Sequence, residues 1–365
     1  MGIIKLIRPL ILSLLFSWFV TAFYSCESKT GSGTDQNSDI GQRDRGLAII
    51  DSLLRDSAFA QSMAATLDSS YYAGIGEKPL PFLTPADDTS VVMKSKLDEK
   101  IATNLAGFYA LECGVGLLSV QSNATPVTIL EKITNGTADS NMILLLNRFA
   151  NATWKASQPF RGLSRITKPN FISASSLSAD EVDKDYVQIK NAAVKLLSSL
   201  ASIGDTSLAS QMDAMRRLLQ DSAYAVAMAS FLDSSYYVNL HQPAPPFSAP
   251  GDDTALIKKG AKEMKVATSI AGFYALECGV NYLVTTTGRL PSVIIKSVAD
   301  NSMSADEKNI FARFANATWK AGQPFRGLNR ITRATFTPFY FLTESDIDKD
   351  LVQVRAAATR LAGLL

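Results

Sequence analysis

The chain contains an internal repeat, and this repeat constrains its fold more than any other feature. Residues 44–200 return as residues 209–365 without an insertion or deletion, and every match is displaced by 165 positions. The motif FYALECGV, for example, occurs in both copies. With only two copies, each of ordinary domain size, the pattern indicates a tandem duplication rather than a solenoid. We expect two helical repeats, at 44–202 and 207–365.

The first 25 residues have the pattern of a secretory signal peptide. Lys5 and Arg8 form a short basic region, and an uncharged apolar run covers 10–23. This run is short for a membrane span but fits the hydrophobic region of a signal peptide. Ser25, a small residue, then precedes Cys26. One interpretation is an ordinary signal peptide, cut near Ala22 or Ser25, that leaves Cys26 unmodified.

The pair Ser25 and Cys26 also resembles the lipobox of bacterial lipoproteins, although Phe23 and Tyr24 depart from its usual residues. The resemblance implies cleavage before Cys26 and attachment of a lipid, with acyl chains such as palmitate, to that cysteine. It further implies a protein anchored in the bacterial cell envelope, most simply at the outer membrane, on its periplasmic or its surface face. The membrane is then a partner through the lipid on Cys26.

Residues 26–43 have the composition of a flexible tether. They are rich in Ser, Thr, Gly, Asp and Asn and poor in large apolar residues, so they cannot bury a core. A lipid, a loose tether and two folded repeats form the layout of a water-exposed body held at a membrane. The sequence therefore divides into a signal peptide at 1–25, a tether at 26–43 and the two repeats.

The charge balance excludes an electrostatic nucleic-acid interface. The whole chain has 36 Lys plus Arg and 34 Asp plus Glu. Removing the signal peptide takes Lys5 and Arg8 and no acidic residue, which leaves 34 of each sign. A neutral body has no basic footprint for a polyanion. We expect an envelope protein or a small ligand as partner, and no nucleic acid.

Apolar residues recur at three- and four-residue steps almost throughout, which predicts an all-α fold. Each copy is expected to hold roughly five helices, and the copies to be related by a pseudo-twofold axis. The second helix is expected to be capped by 87–89, the fourth to end before Pro159, and 336–342 to be a short extended piece. The helices predicted in the first copy cover 44–69, 89–120, 127–134, 140–157 and 179–200.

Glu112 and its counterpart Glu277 are the first candidate site residues. Glu112 falls on the same helical stripe as the apolar residues at 101, 105, 108 and 115, where a carboxylate loses solvent. It is either a general acid or ligand-binding group, or one half of a structural ion pair. The expected partners for an ion pair are Arg148, Lys155, Arg161 and Arg165.

A Trp and several arginines around a Pro-Gly loop form the second candidate site. Such a cluster can bind an anionic or sugar ligand, or it can pin the loop to its domain through cation–π and backbone contacts. The candidate ligand-binding residues are Arg148, Trp154, Arg161 and Arg165 in the first copy and Arg313, Trp319, Arg326 and Arg330 in the second.

The two remaining cysteines and the single histidine limit the kinds of site that the protein can contain. Cys113 and Cys278 occupy the same position of the two copies and are either buried free thiols or one bridge between the copies. His241 is the sole histidine, so the sequence predicts no metal site and no cofactor. The aspartates at 87–88 and 183–185 would hold Ca²⁺ only if they converged, and helix capping explains them more simply.

These observations lead to two functions from different classes. The first is a membrane-anchored envelope lipoprotein with two helical repeats that binds a ligand or a protein, or serves as a scaffold, without catalysis. The alternative is an envelope hydrolase that uses the paired glutamates Glu112 and Glu277 on a glycan-type substrate. The hydrolase requires both carboxylates to face an open cleft.

Overall fold

The computed structural model of the protein describes residues 35–74, 76–78, 82, 91–201, 204–239, 241–244, 246–247 and 256–365. The described chain is predominantly α-helical, which confirms the predicted all-α class. Arg43–Leu365 forms one compact unit, and the described residues before it begin the first helix. Cys26 and the predicted cap at 87–89 lie outside the described residues.

Corresponding elements follow one another in the two repeats. The first repeat contains α1 (Asp35–Leu54), α2 (Ser57–Gly74), β1 (Val91–Ser95), α3 (Lys96–Ser122), α4 (Pro126–Thr134), α5 (Ser140–Arg161) and α6 (Ala179–Leu200). The second contains α7 (Leu208–Gln220), α8 (Ser222–Asn239), β2 (Leu256–Gly260), α9 (Ala261–Ser269), α10 (Ala271–Thr287), α11 (Pro291–Ala299), α12 (Ala305–Arg326) and α13 (Glu344–Ala362). Helix α3 thus corresponds to two helices, α9 and α10.

The predicted first helix, 44–69, is wrong because an aspartate divides it. The Asp56 carboxylate accepts the backbone N–H groups of Ala58 and Phe59 at 2.8 and 3.0 Å, and so starts a new helix, α2, after α1 has ended. Asp221 accepts the corresponding N–H groups before α8. The apolar periodicity continues across this point, but a side chain that accepts the free N–H groups at a helix start determines where the new helix begins.

The predicted start of the second helix at 89 is also wrong. Helix α3 begins at Lys96, where Ser95 Oγ accepts the N–H of Asp98 at 2.9 Å in a capping box. The residues just before it form β1, which pairs antiparallel with β2, so that Val91 lies opposite Gly260. This short ladder joins the two repeats. The expected extended piece at 336–342 is instead partly a 3₁₀ turn, at Phe339–Phe341.

The fourth predicted helix does not end before Pro159. Helix α5 continues through this proline to Arg161 and ends at Gly162, whose φ of +140° is accessible to glycine and strained for other residues. A proline in the last turn removes one backbone N–H without preventing the helix from finishing. The loop after α5 therefore begins later than predicted, at Gly162.

The two repeats share one hydrophobic core. Helix α2 of the first repeat packs against α9 and α13 of the second, and α8 of the second packs against α3 and α6 of the first. Between them α5 packs on α12, where Phe149 stacks on Phe314 with ring centroids 4.2 Å apart. These two phenylalanines are equivalent positions of the sequence repeat. Each repeat thus places its α2-type helix on the other.

Two glycines bring helices into close contact inside this core. A Cβ added at Gly114 would lie 2.5 Å from Leu146 Cδ2, and one added at Gly279 would lie 2.5 Å from Phe311 Cε1. Real Cβ atoms do not approach that closely, so only glycine lets α3 pack on α5 and α10 on α12 at this distance.

Within the described part of the chain, α3 is long and apolar enough to cross a membrane by length and composition. Its most apolar 18-residue window is 78% buried inside the structure. The helix has the packing of a core helix, in contact with α5, α8 and α12.

Candidate functional site

The paired glutamates form two buried ion pairs, and each pair crosses between the repeats. Lys320 Nζ lies 2.5 Å from Glu112 Oε2, and Lys155 Nζ lies 2.6 Å from Glu277 Oε2. The four side chains are between 0 and 1% exposed. The prediction that Glu112 pairs within its own copy is wrong, because α5 and α12 cross the core and place each lysine beside the glutamate of the other repeat.

Glu277 is fully satisfied by hydrogen bonds. Its Oε1 accepts from Ala174 N–H at 2.8 Å, Ser173 Oγ at 3.0 Å and Asn281 Nδ2 at 2.8 Å. Burial acts to raise the pKa of this carboxyl, but the charge of Lys155 and the hydrogen bonds outweigh burial and lower the pKa. The group is therefore a buried carboxylate with no free lone pair for a substrate.

The surroundings of Glu112 differ from those of Glu277. Gly116 occupies the position that Asn281 has in the other copy, and a Cβ there would lie 3.0 Å from Arg313 Nη1. The Arg313 guanidinium fills this space and packs over the ring of Phe339, 4.2 Å from its centroid. Burial lowers the pKa of Arg313 to about 10, although Cys113 and Glu112 act to raise it. Arg313 thus belongs to the buried cluster.

Cys113 and Cys278 are buried free thiols, so the disulfide alternative is wrong. Each thiol donates to the glutamate that precedes it, Cys113 to Glu112 at 3.2 Å and Cys278 to Glu277 at 3.0 Å. Burial and the neighbouring carboxylate raise the pKa of both thiols. Both cysteines are small apolar parts of the clusters rather than nucleophiles.

A cleft of about 920 Å³ opens beside α12 and contains two of the predicted ligand-binding residues, Trp319 and Arg326. One wall comes from helix α2 of the first repeat, through Asp68, Tyr71 and Tyr72. The other walls come from the second repeat, and their polar side chains are Lys265, Thr268, Ser269, Asn316, Thr335, Thr337, Asp346, Lys349, Asp350 and Gln353. The cleft therefore exists only where the two repeats interdigitate.

Most of the charges that line this cleft are neutralised by a neighbour. Lys265 Nζ lies 2.9 Å from Asp68 Oδ2, and Lys349 Nζ lies 3.5 Å from Asp346 Oδ1. Burial raises the pKa of Asp350 to about 7, against the lowering effects of its hydrogen bond from an amide and of nearby lysines. Its carboxyl is therefore largely neutral below pH 7.

Arg326 is the charge in this cleft that has no carboxylate partner among the described residues. Burial, together with the charges of Arg330 and Arg333, lowers its pKa to about 10, while Tyr71 acts to raise it. It stays positively charged at neutral pH in a region where three arginines lie near one another. Arg330 is close to this group without lining the cleft.

The corresponding arginine of the first repeat is neutralised. Arg161 Nε lies 3.6 Å from Glu99 Oε1, and Met264 occupies the position of Glu99 in the second repeat. Trp154 packs on Phe171 with ring centroids 5.7 Å apart. The two repeats thus differ in charge where their sequences otherwise agree.

The other predicted candidates lie elsewhere. Arg148 is 7% exposed and lies close enough to Glu277 and Cys278 for their charges to raise its pKa, although burial lowers the pKa overall. Arg165 is half-buried in a 3₁₀ turn after α5.

In the described ranges, no three His, Cys, Asp or Glu side chains come together as metal ligands.

Sequence reasoning missed the tyrosine wall of the cleft. The run DSSYY, residues 68–72, occurs unchanged as residues 233–237, which was an available signal. Its position in the fold was not readable, because α2 contributes it to the cleft of the other repeat.

Comparison of the chain with protein-family models, with curated proteins and with solved structures gives no match. Its function must be argued from the cleft and from the N-terminal sequence.

Proposed function

We propose that the protein is a lipid-anchored lipoprotein of the bacterial cell envelope that binds a small polar ligand, without catalysis, in the cleft beside Trp319 and Arg326. One observation carries the proposal, namely that aromatic faces, hydrogen-bonding side chains and an unpaired cation line the same concave space. Ligand pockets of proteins combine these groups at a similar size.

The envelope location rests on the N-terminal sequence alone. Lys5 and Arg8, the apolar run at 10–23 and the Ser25–Cys26 junction support export and lipid attachment. Labelling of cells with radioactive palmitate tests this part. We expect incorporation into the wild-type chain and none into Cys26→Ala. Equal labelling of both chains would contradict the anchor at Cys26.

The hydrolase alternative has less support. It requires Glu112 and Glu277 in an open cleft, and both carboxylates lie enclosed in the core, paired with lysines. A general acid must reach the proton acceptor of its substrate within hydrogen-bonding distance. We therefore favour binding.

Calorimetric titration with a panel of small polar compounds tests the binding function. The panel contains amino acids, neutral sugars, sugar acids and sugar phosphates. We expect at least one compound to bind, and Tyr71→Ala to weaken it about tenfold or more, because Tyr71 is a 41% exposed wall of the cleft. The matched control is Tyr236→Ala, the same position in the second repeat, which is 45% exposed and does not line the cleft. Failure of every compound to bind would contradict the proposal.

A further inference from the structure

We infer that the ligand of this cleft is a sugar acid, that is, a hydroxylated ring bearing a carboxylate that pairs with Arg326. The inference rests on the proposed binding function and adds the class of ligand. It follows from a difference between the two repeats at a single position and from the kind of groups around Arg326.

The two repeats differ in whether an internal carboxylate neutralises one particular arginine. In the first repeat, Glu99 lies 3.6 Å from Arg161 and supplies the negative charge. In the second repeat, Met264 lines the cleft at the equivalent position, and Arg326 has no carboxylate partner among the described residues. Keeping a partly buried guanidinium uncompensated is unfavourable, so its natural complement is an anion from outside the chain.

The other charges of the cleft do not supply this complement. Asp68 and Asp346 each lie beside a lysine of the lining, and Asp350 is largely protonated below pH 7. Arg330 and Arg333 add positive potential near Arg326. The cleft therefore presents net positive charge at one end, which favours a ligand with one or few negative charges.

The remaining lining favours a hydroxylated ring on the same ligand. Trp319 and Tyr71 offer aromatic faces, and polar side chains stand around them. Hydroxyl groups can both donate to and accept from such side chains. The amide and hydroxyl side chains that line the cleft are Asn316, Gln353, Thr335 and Thr337. A uronic acid combines the ring, the hydroxyls and the carboxylate.

The test compares two ligands that differ only at one carbon. D-galacturonate carries a carboxylate where D-galactose carries a hydroxymethyl group. Titration calorimetry on the folded protein with both repeats should show that galacturonate binds at least about tenfold more tightly than galactose, as expected for a charge-assisted pair. Raising the salt concentration should weaken galacturonate binding and leave that of galactose unchanged.

The decisive variant is Met264→Glu, which places the carboxylate of the first repeat beside Arg326. We expect it to weaken galacturonate at least about tenfold, because the anion must then compete with an internal carboxylate. The matched control, Glu99→Met, alters the same position of the first repeat. Because Glu99 does not line the cleft, this change should leave the affinity of the cleft for galacturonate unchanged. Should Met264→Glu fold poorly, as judged by its thermal midpoint, Arg326→Gln gives the same readout.

The outcomes distinguish a failure of the sugar-acid inference from a failure of the binding function on which it rests. Equal binding of galactose and galacturonate, or full galacturonate binding by Met264→Glu and Arg326→Gln, would overturn the sugar-acid inference. So would a failure of galacturonate to bind. The binding function itself would stand if another compound bound in a manner that depends on Tyr71, and it would fall if no compound of the panel did.

Discussion

Lys320 Nζ lies 2.5 Å from Glu112 Oε2, although the two residues are 208 positions apart and belong to different repeats. The reciprocal pair, Lys155 with Glu277, has the same geometry at 2.6 Å. All four charged groups are enclosed in the core. Each repeat therefore supplies the cation that the other repeat's buried carboxylate needs.

This reciprocity predicts that a repeat cannot fold as a stable monomer. Residues 44–202 alone would leave Glu112 without Lys320. They would also expose the packing face of α2 and the surfaces of α3 and α6 that α8 covers. Two copies of the fragment would restore the pairs, Glu112 of one with Lys155 of the other, as in a swapped dimer. Sedimentation equilibrium and circular dichroism should find a dimer that unfolds on dilution. A folded monomer independent of concentration would contradict the interdigitated core.

A second prediction concerns the close helix contact at Gly279. Gly279→Ala should lower the free energy of unfolding by about 1–3 kcal/mol, because the new Cβ would lie 2.5 Å from the buried ring of Phe311. Gly107→Ala is the control, since its Cβ would meet Gln188 at an ordinary 3.6 Å and should be neutral or stabilising. Urea denaturation measures both. Equal effects of the two substitutions would mean that α10 and α12 are not packed this closely.

The helical class was predictable from the sequence, whereas the exchange of helices between repeats was not. Periodicity fixes which residues face a core, and Glu112 was rightly placed on a buried stripe. Both copies carry the same Glu and the same Lys, however, so pairing within or between repeats looks identical in the sequence. The cleft shows the same limit. Trp319 is a candidate from the sequence, whereas Tyr71, which lines the same cleft from the other repeat, is not.

The titration of Asp350 gives a third prediction. Burial raises the pKa of this carboxyl in the folded protein from 3.8 to about 7. The hydrogen bond that Asn316 donates at 3.4 Å and the charges of Lys320 and Lys349 act to lower the pKa, whereas the charge of Asp346 acts to raise it. The folded state then holds a proton that the unfolded state releases between about pH 4 and 7. This contribution to stability is present below pH 4 and is lost as the pH rises through 7.

Asp350→Asn removes this titration. Relative to wild type, its free energy of unfolding should be similar at pH 4 and about 2 kcal/mol higher at pH 8, a value reduced from the full shift because the side chain keeps some contact with solvent. Denaturation curves at several pH values measure the difference. A difference that does not vary with pH would contradict the assignment to Asp350.

The most direct test of the account is a double-mutant cycle between Lys320 and Glu112, measured by urea denaturation. Lys320→Met and Glu112→Gln should each cost about 3–5 kcal/mol, since Lys320→Met leaves a charge buried without its partner and so does Glu112→Gln. The double variant should recover at least about 2 kcal/mol of their sum. The exposed pair Lys296 and Asp300, 75% and 52% exposed, should show almost no coupling. Additivity of Lys320→Met and Glu112→Gln within about 0.5 kcal/mol would mean that these two side chains, and hence the two repeats, do not meet in this way.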